Sequence, residues 1–136
     1  MSNARTFEAE LMQEFDDKED EMRAYVVEVA HYLADQVVQR SPVDTGRFVA
    51  NWNAAIGVPD VHTSAHVDPG KTNTAERLKR KISEFKNVTT WPKIFLTEAL
   101  PYARRLEGGW SKQAPQGVVG VSLANAVAKY SRARVI

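Results

Sequence analysis

Two histidines four residues apart, His62 and His66 in "HTSAH", have the spacing at which a helix aims both imidazoles at one metal ion. Pro59, Pro69 and Gly70 oppose a helix there, and the chain carries no cysteine. The nearest carboxylates are Asp60 and Asp68, so the pair reads as exposed loop histidines with no metal between them. "DPGKTNT" ends like a phosphate loop in Gly70-Lys71-Thr72. Ala65 stands where the first glycine of that motif belongs, and no apolar strand leads in, so no nucleotide site is expected. There is no Ser-x-Gly elbow and no carboxylate pair in an apolar setting; an enzyme is not expected, nor any cofactor. The remaining candidate is a row of cations, Arg77, Lys79, Arg80, Lys81 and Lys86, on a helix over 74–86 close to Trp91. Such a row can track a phosphate backbone without reading bases, although a solvated cationic face is the commoner reason for it.

The elements that must carry these residues fit one domain of 136 residues, 43% hydrophobic and 26% charged. No apolar run approaches the roughly 20 residues of a membrane span. The N-terminus does not read as a signal peptide, and without cysteine the chain is expected to fold in a cytoplasm. Net charge is +1, but its distribution is lopsided. Residues 1–35 hold ten acids and three bases, and residues 71–136 hold thirteen bases and four acids. That dipole suits either pairing of the two halves within one fold or self-association of unlike surfaces.

From Thr6 to Arg40 the chain reads as one long helix or two abutting ones, with Met22, Val26, Val29, Leu33 and Val37 forming the buried stripe. Residues 1–21 are more charged, and are expected as a frayed or solvated, flexible acidic extension. Pro42 ends the helix and "SPVDTG" turns. Phe48, Ala50, Trp52, Ala54 and Ile56 alternate as in a strand with one face buried. Residues 58–72 read as a long loop or β-hairpin arm. A helix follows, with Asn73 and Glu76 as a capping box and Leu78, Ile82 and Phe85 inward. "KIFLTEAL" reads as a strand, Pro101 to Glu107 as a short helix stopped by Gly108 and Gly109, and the stretch after Pro115 as a last helix. The fold class is α+β: a long N-terminal helix and shorter helices on a small, mainly antiparallel sheet.

Two segments, "SPVDTGRFVANWN" (41–53) and "ALPYARRLEGGWSKQAPQGVV" (99–119), resemble the minor tail-component family of long-tailed bacteriophages and prophages. Its members complete the tail and join it to the head. The likeness spans roughly Arg23 to Val119 and covers residue identity and element order; the acidic extension and residues 58–72 lie outside it. It implies a virion structural protein of the tail or neck, made in the host bacterial cytoplasm. It also implies a ring, six-fold (a hexamer), at the head-proximal end of the tail, with the tail tube protein and head connector proteins as partners and no membrane. Each subunit of such a ring uses two different surfaces. Weak contact with passing genome DNA follows if basic residues line the lumen. A small, sequence-independent DNA-binding protein using helix 74–86 is the alternative. In the second segment Arg104 or Arg105 is expected to pair with Asp44, with Trp110 packed over the chain exit, as a structural staple.

Overall fold

The computed structural model describes residues 3–131, with side chains from Thr6 onward. Helix α1 runs unbroken from Asn3 to Arg40, about 57 Å at 1.5 Å per residue. Its two halves differ. From Thr6 to Met22 every side chain is exposed, and burial begins at Arg23. The acidic segment is therefore solvated, as expected, but helical rather than frayed. The buried face is also rotated from the expected stripe. Of the expected stripe Val37 is buried, but Met22 is exposed and Val26, Val29 and Leu33 are half-buried; Val27, Ala30, Ala34 and Val38 complete the buried face. Reading large residues alone missed Ala30 and Ala34, both buried. α1 ends before Pro42. Ser41 Oγ donates to Val37 O and Lys71 Nζ donates to Gln39 O at 2.6 Å, so two of its last carbonyls are satisfied.

The strand expected from Phe48 begins four residues later. Arg47–Ala50 is a helical turn, α2, and β1 is Trp52–Ile56. Phe48 and Val49 are both buried, which a strand with one solvated face does not allow. Gly46, with φ +93°, sets the turn, and its carbonyl accepts from Ala50 N and Asp68 N. Strand β2, Ile94–Glu98, pairs antiparallel with β1, Trp52 opposite Glu98 and Ile56 opposite Ile94.

Between the strands lies α3, Thr72–Ser83, extended by a 3-10 turn over Glu84–Asn87. Leu78, Ile82 and Phe85 are buried, as their spacing predicts. The capping box is not used; helix entry is through Lys71 in the left-handed region, and the Asp68 carboxylate accepts from Thr74 N at 2.7 Å. Residues 58–71 contain no strand and do not project as a hairpin. They lie along β1: Asn51 exchanges hydrogen bonds with both backbone groups of Ser64, and Asn53 Nδ2 donates to His62 O. Helix α4, Ala103–Glu107, and helix α5, Val119–Tyr130, follow β2, and α5 packs against α1. The architecture is α+β: helices around one two-stranded antiparallel sheet. Among the described residues no helix is long and apolar enough to cross a membrane.

Candidate functional site

The expected staple is built from other residues. Asp44, Arg104 and Arg105 are exposed, and no ion pair among the described residues joins Asp44 to either arginine. Trp110 does not cover the chain exit; it is 74% exposed, with the Arg105 guanidinium 5.1 Å from its ring centroid. The connection between the two segments is made by Gln113, whose side-chain amide accepts from Val43 N and donates to Val43 O, both at 2.9 Å. An amide satisfies a backbone donor and acceptor at once, which neither charged group can.

Glu107 is the second fastener. Its carboxylate accepts from the backbone N–H groups of Val118, Val119 and Gly120 at 2.8, 2.7 and 2.9 Å. Helix α5 starts after Val118, which has no side-chain acceptor, so the cap comes from a residue eleven positions away. Partial burial opposes the charge, but these donors hold the carboxyl below the usual range. Gly117, φ +82°, permits the approach: a Cβ there would lie 2.3 Å from Glu107 O.

The basic helix is partly spent on its own fold. Arg77 donates to Trp52 O at 2.7 Å and to Ala50 O at 3.1 Å, tying α3 to β1. Lys79 pairs with Asp35 on α1 at 3.1 Å, and Lys81 with Glu84 at 3.4 Å. Arg80 and Lys86 are exposed and enter no ion pair among the described residues. Trp91 is engaged from behind by Arg23, a buried residue whose guanidinium carbon lies 4.3 Å from the Trp91 centroid and 5.3 Å from that of Phe85. His62 hydrogen-bonds Asp60 through Nδ1 at 2.7 Å, His66 is exposed, and no metal-ligand cluster occurs among the described residues. Lys71, the lysine of the phosphate-loop look-alike, caps α1 instead.

An apolar concavity lies elsewhere. A groove of about 520 Å³ runs between α1 (Val26, Val29, Leu33), the sheet side (Pro92, Ile94, Leu96) and α5 (Val119, Leu123), with Trp52 at its floor. Val119, Leu123 and Val127 form an exposed apolar row at spacings of four along α5. Comparison of the chain with protein-family models, with curated proteins and with solved structures finds no match.

Beside the groove, Glu98 lies in an apolar pocket with Phe48, Trp52, Leu96 and Val118; Arg104 and Glu107 line the same pocket. Glu98 Oε1 accepts from Leu100 N, but Oε2 is buried without a partner among the described residues. Burial raises its pKa to about 7, the Leu100 N–H acting in the opposite direction. The folded state thus holds a proton that the unfolded chain releases near 4.5, and stability falls as pH rises from about 4.5 to about 7. Glu98→Gln keeps an acceptor and removes the charge. It is expected to raise stability at pH 8 by about 1 kcal/mol, a figure reduced for partial solvent screening, and to leave stability near pH 5 unchanged. Denaturant midpoints at the two pH values measure the difference; equal midpoints for both chains at pH 8 contradict it.

Gln113, Glu107, Glu98 and the groove all escaped sequence reasoning. One signal was present for Glu107: a helix beginning Val118-Val119-Gly120 has no local cap and needs an acceptor from elsewhere.

Proposed function

We propose that this chain is a virion structural protein, a tail-completion or neck component of a long-tailed phage or prophage, assembling as a ring at the head-proximal end of the tail. The observation that carries the self-assembly is the first half of α1. Residues 6–22 form about five turns of helix, exposed throughout, with Phe7, Leu11, Met12, Phe15 and Met22 uncovered among eight acids and one lysine. An isolated helix of this length is marginal in water, and its apolar residues gain nothing until another surface covers them. The segment resemblances at 41–53 and 99–119 supply the phage context. The α+β domain behind the arm is compatible with that reading, and the tail tube and head connector remain its proposed partners.

In the DNA-binding alternative Arg80 and Lys86 are the exposed cations of the helix with no ion pair among the described residues, whereas Arg77, Lys79 and Lys81 have partners within the fold. Light scattering over a protein concentration series, alongside duplex affinity over a salt series, separates the two. Ring assembly predicts a discrete high oligomer and weak duplex affinity. A single-chain mass throughout, with duplex affinity falling steeply as salt rises, overturns the ring in favour of the DNA-binding protein.

A further inference from the structure

We infer that the free half of α1 docks into the apolar groove of a second copy of this chain, lying across Val26, Val29 and Leu33 of α1, Ile94 and Leu96 of the sheet, and Val119 and Leu123 of α5. The inference rests on the self-association in the reading above and assigns its two surfaces.

Three observations select this occupant. The first is matching periodicity. Phe7, Leu11 and Phe15 recur every four residues along the arm, and Val119, Leu123 and Val127 recur every four along α5, all of them exposed. Rows at that spacing are the ridges and grooves through which helices most often interdigitate. The second is charge. The arm carries eight acids and one lysine over residues 6–22. The groove is walled in part by α5 and the sheet side, which belong to the basic part of the chain, where residues 71–136 hold thirteen bases and four acids. Glu28 lies close to Tyr130 at one end of α5, and Glu107 is held at the other by Val118, Val119 and Gly120 N–H groups. Two arms packed on each other would instead set acid against acid along their length, which disfavours an arm-to-arm coil. The third is reach: the arm is about 30 Å of helix with its axis fixed by the buried half of α1, so it leaves its own domain and cannot fold back onto its own groove.

The absence of cysteine makes the test direct. Full-length Leu11→Cys and Leu123→Cys chains, both altered at exposed positions, are mixed in equal amounts and oxidised with oxidised glutathione. A disulfide between the two chains is expected to form at least about tenfold faster than in a mixture of Leu11→Cys with Val58→Cys, a control thiol on the loop after β1, because docking raises the local thiol concentration. Bonds only between two Leu11→Cys chains identify arm-to-arm pairing and overturn the inference. Equal rates in both mixtures overturn it as well. The mass of the linked species separates this result from the ring: a closed dimer carrying the 11–123 bond upholds the docking and removes the ring, whereas rings without that bond uphold the ring and remove the docking.

Discussion

Gly46→Ala is expected to destabilise the fold by about 3 kcal/mol or more, whereas Gly57→Ala is expected to cost only about 1–2 kcal/mol. Both glycines have left-handed backbone, φ +93° and +92°, so the conformational penalty of a side chain is nearly the same at each. Their surroundings differ. A Cβ at Gly57 meets nothing within 4 Å; at Gly46 it lies 2.4 Å from Pro69 N and 2.8 Å from Asp68 C, both backbone atoms that cannot rotate aside. The same glycine carbonyl anchors Ala50 and Asp68, and Asp68 in turn caps α3. Displacing residues 68 and 69 therefore loosens α2, the loop along β1 and the start of α3 together. Denaturant unfolding at low, fixed protein concentration, where association does not contribute, measures the two costs. Equal losses at the two positions contradict the close approach.

Trp52→Ala is expected to cost about 3–5 kcal/mol, the range for removing a buried aromatic side chain. Trp52 is 3% exposed, meets Phe48 edge to face at 6.0 Å, and donates through Nε1 to Ser41 Oγ at 2.8 Å. Ser41 passes the connection on to Val37 O at the end of α1, so β1 and α1 are linked through the core by a polar chain. Ser41→Ala leaves the buried indole N–H without its acceptor and is expected to cost about 1–3 kcal/mol. In a Trp52→Phe background that donor is gone, so the same serine change costs less. Additive losses in the double-mutant cycle rule the polar link out as a stabilising element. Trp52 also floors the apolar groove, so Trp52→Ala enlarges the proposed docking surface as well as the core cavity.

Much of the fold was legible where local patterns and packing agree. The long helix ending before Pro42, the inward triad Leu78, Ile82 and Phe85, and the short helix stopped by Gly108 could be read because spacing and punctuation point the same way. Phe48 to Ala50 misled because alternation in a segment of five positions also fits a single helical turn followed by a strand. The face of α1 misled because the stripe was drawn through large residues alone: Ala30 and Ala34 are buried, whereas Val26, Val29 and Leu33 line the open groove. The staple was predicted between the correct two segments but on the wrong residues. Opposite charges suggested Asp44 with Arg104 or Arg105, whereas the structure joins the segments through an amide, Gln113, whose partner is backbone and has no sequence signature. Glu107 and Glu98 depend in the same way on which distant backbone groups and apolar side chains surround them.

The most direct measurement is electron microscopy of the concentrated full-length protein. Closed rings with one subunit number are expected, each arm engaged with the next subunit. Single-copy particles at every concentration, or open filaments of variable length, contradict this expectation.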